Sequence, residues 1–237
     1  TAARGSGSVG LRGDTWNFAK VDVVAGGVRA NLDGTLSPAS RDLAFRLDAS
    51  DLSVLAPQSR GTLRARGRYG GTSAEPVLVL DARGSGIVHQ GVEIGRVEAD
   101  VDFDPRAGRK STVRANASAL KVLGREIERA ALTLDGQSEK HVLAVEARSA
   151  GLALDARADG RFTDGAWRGS WNELDLQVGE QVELALDGNL EMTVSTTSGS
   201  IPGFCLRDRR KADSEARLCA GGDWEPRDWQ GQLDATA

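Results

Sequence analysis

Apolar and polar residues alternate along most of this chain, in short runs that stop at glycine, and few architectures can use such a pattern. Val97-Glu98-Ala99-Asp100-Val101-Asp102-Phe103-Asp104 shows it, as do Val28-Arg29-Ala30-Asn31-Leu32-Asp33, Leu43-Ala44-Phe45-Arg46-Leu47-Asp48 and Leu152-Ala153-Leu154-Asp155-Ala156-Arg157. A period of two sends every second side chain to the same side of an extended strand. One side then carries Val, Leu and Ala, and the other carries Asp, Glu, Arg and Asn. No window offers the i, i+3, i+4, i+7 apolar spacing of a helix. The chain reads as all-β.

Strand-like segments lie near residues 16–24, 28–36, 42–49, 61–69, 77–82, 97–103, 112–119, 130–134, 141–147, 152–162, 167–178, 182–186 and 189–194, with two short ones around the cysteines. The prolines (Pro38, Pro57, Pro76, Pro105, Pro202, Pro226) fall between these runs, as expected of a residue that cannot donate to a sheet ladder. Gly26-Gly27, Gly70-Gly71 and Asp164-Gly165 mark turns. A loose repeat relates residues 43–52, 78–87 and 143–152: an alternating strand, a bend of small residues, then a single aliphatic. Its irregular spacing argues against a strict solenoid. It predicts a meander in which antiparallel strands add side by side.

The chain has 237 residues and 29 Gly but only 5 Trp, 5 Phe and 1 Tyr, too few rings to fill a thick core. The expected form is therefore a long, curved, mainly antiparallel sheet, an elongated trough with an apolar inner face. Its inner rows would be Val28, Ala30 and Leu32; Leu43, Phe45 and Leu47; Val97, Ala99, Val101 and Phe103; and Leu152 and Leu154. Residues 1–200 would form the repetitive sheet, and 201–237 a hairpin and the start of the next strands, all in one continuous unit. The net charge of −4, with both signs intermixed, gives no sign of a nucleic-acid partner. No apolar run approaches the ~18–20 residues of a membrane-spanning helix, and no signal-peptide pattern opens the chain. Both ends fall abruptly, one inside a strand-like run, so we read the chain as an interior segment of a longer protein.

Cys205 and Cys219 flank a charged loop, each in a short strand-like piece. A hairpin here would set the sulfurs opposite each other, and a disulfide closing about 15 residues is worth roughly 3 kcal/mol in the chain-entropy model. Such a bond persists in an oxidising compartment. The alternative is a pair of reduced, buried thiols.

Signs of catalysis or ligand binding are weak. Gly5-Ser6-Gly7-Ser8-Val9-Gly10 matches G-x-G-x-x-G, but a dinucleotide site needs a strand before the motif and a helix after it. It reads as a flexible loop. His89 and His141 stand far apart and read as surface residues, with no zinc-ligand spacing. Asp100, Asp102 and Asp104 share one side of a strand, but neighbours there lie about 6.6–7 Å apart, too far for one calcium ion. They read as a solvated outer face. No G-x-S-x-G elbow or Cys–His pair suggests a nucleophile. Arg207, Arg209, Arg210 and Lys211 read as a solvated loop tip. The reading is a non-enzyme without metal or cofactor.

The repeated strand-bend-aliphatic unit resembles the TamB family, of the translocation and assembly module of Gram-negative bacteria. So do Trp167-Arg168-Gly169-Ser170-Trp171 with Leu174-Asp175-Leu176, the Cys205/Cys219 pair, and Trp224 and Trp229 beyond it. The resemblance implies a periplasmic, elongated AsmA-like lipid-transfer sheet in a protein anchored in the inner membrane. It implies phospholipid acyl chains in the trough, and an Omp85-type barrel partner engaged through parts outside this segment. Two other readings stay open: a scaffold or β-augmentation surface for nascent outer-membrane proteins, and a closed β-helical passenger or adhesin.

Overall fold

The computed structural model describes residues 3–122, 124–195, 197–210, 217–225 and 228–236, except the side chains of 228, 229 and 233–236. The strands are β1 (Ala3–Arg12), β2 (Thr15–Ala25), β3 (Val28–Leu36), β4 (Arg41–Ala49), β5 (Arg60–Gly71), β6 (Pro76–His89), β7 (Val92–Phe103), β8 (Lys110–Val122) and β9 (Arg125–Gln137). They continue as β10 (Lys140–Ser149), β11 (Leu152–Thr163), β12 (Ala166–Val178), β13 (Val182–Asp187), β14 (Leu190–Ser195), β15 (Gly199–Asp208), β16 (Arg217–Glu225) and β17 (Asp228–Thr236). A single 3-10 turn, Leu52–Val54, is the one helical element among the described residues.

From β1 to β12 each strand pairs antiparallel with the next. β13 and β14 lie end to end, both between β12 and β15, with Gly188 at φ +94° in the break. β16 and β17 complete the meander. At about 4.8 Å per strand the sheet is roughly 70 Å across.

Two-residue connections join several of these strands. Gly26-Gly27 and Asp164-Gly165 both take positive φ at both positions, the hairpin geometry whose twist matches the flanking strands. Most prolines lie between strands or, as Pro76 does, at a strand start. Pro202 instead lies inside β15, where the register shifts between Ile201 and Phe204, so its missing N–H interrupts no regular pairing. Pro226 is outside the described residues.

The Gly5–Gly10 stretch, expected as a loop, belongs to β1, an exposed edge strand paired with β2. The second copy of the loose repeat also differs from the other two. Its small-residue bend does not end the strand, since β6 runs on to His89 through Gly86 at φ +57°. That kink reverses the alternation. A Cβ on Gly84 would stand 2.7 Å from Ile87 Cδ1, so Ile87 stays on the face of Gly84 despite its odd number.

Candidate functional site: the apolar face

The strand registers align the alternating residues into continuous rows. One row runs Leu32, Phe45, Gly67, Leu80, Val101, Val113, Leu134, Leu143 and Ala158 across nine strands. A second runs Ala30, Leu47, Ala65, Ala82, Ala99, Ala115, Leu132, Val145 and Ala156 over the same strands. A third carries Val28, Ala49, Leu63, Gly84, Val97 and, beyond β8 to β10, Leu154. Leu43 and Phe103 share a flanking row through Tyr69 and Leu78. Leu152 lies one row beyond Leu154. The expected inner residues thus occupy one face, and no charged residue interrupts the three main rows over these strands.

Most of these side chains are half-buried rather than covered. Leu132 remains 37% exposed and Val23, beside Ala30, 40%. The total accessible surface is 15142 Å². A compact protein of the same 25.0 kDa would expose about 10,000 Å². The difference is what a sheet without a second layer leaves uncovered.

The apolar face is concave where β7 to β11 meet. Phe103 and Phe162 are four strands apart, a span of roughly 19 Å on a flat sheet, yet their ring centroids are 5.4 Å apart at 77°. Side chains on a flat surface would stand parallel and miss each other. Ser111, Gly136 and His141 stand on the strands between them, and the small Ser111 and Gly136 leave room for the rings to lean together.

His141 is inside this cluster and not on the surface. It is 2% exposed, stacks on Phe162 at 5.1 Å, and accepts a 2.8 Å hydrogen bond from Trp167 Nε1–H. Its Nδ1 lies 2.9 Å from the Gln137 carbonyl, which can only accept. The ring is therefore neutral, with its proton on Nδ1. Parity held the signal that the sequence reading missed, because His141 is in phase with Leu143 and Val145. Gly160 and Gly169 form the seat of the Trp167 indole. A Cβ on Gly160 would stand 2.5 Å from Trp167 Nε1, and one on Gly169 2.0 Å from Trp167 Cη2. Both glycines are seats for a ring rather than turn markers.

Asp104, expected on the solvated face with Asp100 and Asp102, turns inward at this rim and is 5% exposed. The cause is its position past the end of β7. Arg106 Nε donates to it at 2.7 Å, and Arg109 Nε approaches at 3.4 Å. The hydrogen bond from Arg106 holds its carboxyl down at about 2, against a burial effect that would raise it.

The opposite face is a lattice of charge. Arg64–Asp48, Arg68–Asp42, Lys110–Asp135 and Arg148–Asp155 bridge neighbouring strands at 2.6 to 3.3 Å. Exposed pairs of this kind contribute about 0–1 kcal/mol each, so they solvate the face more than they hold it. The basic group at the end of β15 joins this lattice: Arg207 pairs with Asp187, Arg209 with Asp175 and Arg210 with Glu183. Lys211 is outside the described residues. Cys205 and Cys219 face each other across β15 and β16, their sulfurs bonded at 2.08 Å. Among the described residues no three His, Cys, Asp or Glu side chains gather as metal ligands.

No helix of the described residues is long and apolar enough to cross a membrane. No curated protein and no solved structure shows a significant match to the chain. The family model described as TamB, N-terminal domain, matches residues 3–235. The chain belongs to the TamB family.

Proposed function

We propose that this segment is a periplasmic hydrophobic groove that conducts phospholipid between the inner and outer membranes and supports outer-membrane protein biogenesis. TamB proteins are structural and transport modules of the cell envelope, working with an outer-membrane partner. The observation that carries the reading is the unbroken set of apolar rows across β3 to β11, left half-covered by the protein itself.

Acyl chains laid along these rows leave water at about 0.8 kcal/mol per methylene buried. The rows offer aliphatic walls and few fixed polar partners, so nothing holds a chain at one point along them. A headgroup stays in water at the open side. In this reading the longer protein is anchored in the inner membrane of a Gram-negative cell and meets an Omp85-type barrel through other parts. The Cys205–Cys219 bond fits an oxidising periplasm.

Native mass spectrometry of the purified segment tests the proposal. Phospholipid carried through purification supports it, and a lipid-free protein that also takes up none from added vesicles refutes it.

The exposed edge of β1 favours one other reading, a pairing surface for nascent outer-membrane strands. β1 carries no proline, and Val9 and Leu11 stay open to solvent. Crosslinks from β1 to unfolded barrel proteins would support that role. A closed β-helix stacks its coils in parallel, whereas every described pairing here is antiparallel.

A further inference from the structure

On the charged face one block gathers arginines from three neighbouring strands. β5 places Arg64, Arg66 and Arg68 at successive positions of that face. Arg64 stands directly across from Arg83 of β6, and Arg66 directly across from Arg46 of β4. Like charges placed opposite each other oppose pairing. Other positions of this face hold both kinds of pair: opposite signs meet in Arg29 with Asp48 and Asp100 with Arg114, and like signs in Asp81 with Asp100 and Arg161 with Arg168.

Neighbouring acids neutralise part of the block. Arg64 reaches Asp48 at 3.3 Å and Arg66 reaches Asp81 at 3.7 Å. Arg46 and Arg83 have no ion pair among the described residues. Glu98 stands across from Arg83 without an ion pair, so four guanidinium groups stand among three carboxylates, a local excess of positive charge on a chain whose net charge is −4. These side chains line a depression of about 260 Å³. A second depression, of about 550 Å³, shares Arg64 and Arg83 and continues to Arg96 and Glu98.

We propose that this block is a docking surface for phosphate-bearing lipid headgroups at an anionic bilayer surface. Charge complementarity and shape both point to such a target. A planar guanidinium presents a fork of donors that matches phosphate oxygens. The groups are spread over three strands, about 10 Å, which suits a field of headgroups better than a single small anion. Arg64 and Arg66 side chains are 79% and 70% exposed, free to reach a flat target. The surface lies on the face opposite the groove, so it adds a membrane contact that the lipid-conducting reading does not require.

Vesicle co-sedimentation of the full segment at low salt tests this, using phosphatidylglycerol–phosphatidylcholine vesicles against phosphatidylcholine alone. The unmodified protein is expected to bind the anionic vesicles at least tenfold more tightly. Arg46→Gln with Arg83→Gln should weaken that binding fivefold or more, while the melting temperature does not fall. A control pair on the same face, Arg114→Gln with Arg157→Gln, removes equal charge elsewhere and should weaken it less. Val101→Asp, on the groove face, should leave vesicle binding intact, so failure of the groove reading and failure of this one remain distinct. Equal binding to both vesicle types, a smaller loss in the Arg46/Arg83 variant, or an equal loss in the control would overturn the proposal. So would retention of an acidic peptide by the same arginines without vesicle binding, which would assign the block to a protein partner.

Discussion

Asp104 lies where β7 gives way to a turn, and the hydrogen bond from Arg106 holds its carboxyl at about 2, below the ordinary 3.8. A carboxyl lowered by folding stabilises the folded state above its unfolded pKa, and that contribution is lost as pH falls from about 4 through about 2. Its arginine partners stay half-exposed or more, and solvent screening trims the effect to about 1–2 kcal/mol. Asp104→Asn should lower stability by that amount at neutral pH in urea melts, and the difference should vanish near pH 2. His141→Phe keeps a ring against Phe162 but leaves the Trp167 indole N–H without its acceptor. It should cost about 1–3 kcal/mol, read by the same melts. Neither role was evident from composition. The inward phase of His141 was legible in its alternation with Leu143. The inward turn of Asp104 was not, because the alternation stops where the strand does.

At the scale of the strand, the repeating pattern located most elements and their faces, since period-two alternation is a direct record of which side meets water. It understated their length wherever a glycine kinks a strand without ending it. Gly61, Gly86 and Gly95 stand in line across β5, β6 and β7, and Ala119 of β8 continues the line. Gly61, Gly86 and Ala119 take positive φ. Beyond this line Ile87, Ile94, Leu120 and Ile127 form a further apolar row. A sequence cannot separate a glycine that ends a strand from one that bends it, because the same freedom of φ serves both. Gly61→Ala would bring a Cβ within 2.5 Å of the Gly86 carbonyl oxygen. It should destabilise the segment by more than the ~1 kcal/mol expected of Gly86→Ala, whose Cβ would meet open space. The cross-strand Cys205–Cys219 bond belongs to the same scale. Cys205→Ser with Cys219→Ser should lower stability by about 3 kcal/mol, and reductant should then have no further effect on the melt.

Over the whole molecule, the strand rows join into one apolar strip backed by a charged lattice, with an aromatic rim drawing β7 to β11 into a concave wall. The direction of each row was readable in the sequence. The closure of the rim was not, because Phe103 and Phe162 meet only through curvature accumulated over four strands. The most direct test of the groove is its parity. A photo-crosslinking side chain placed in turn at positions 97 to 102 should capture phospholipid in cells from Val97, Ala99 and Val101, and little from Glu98, Asp100 and Asp102. Equal capture from both sets, or none from either, would contradict a groove that conducts lipid along its apolar face.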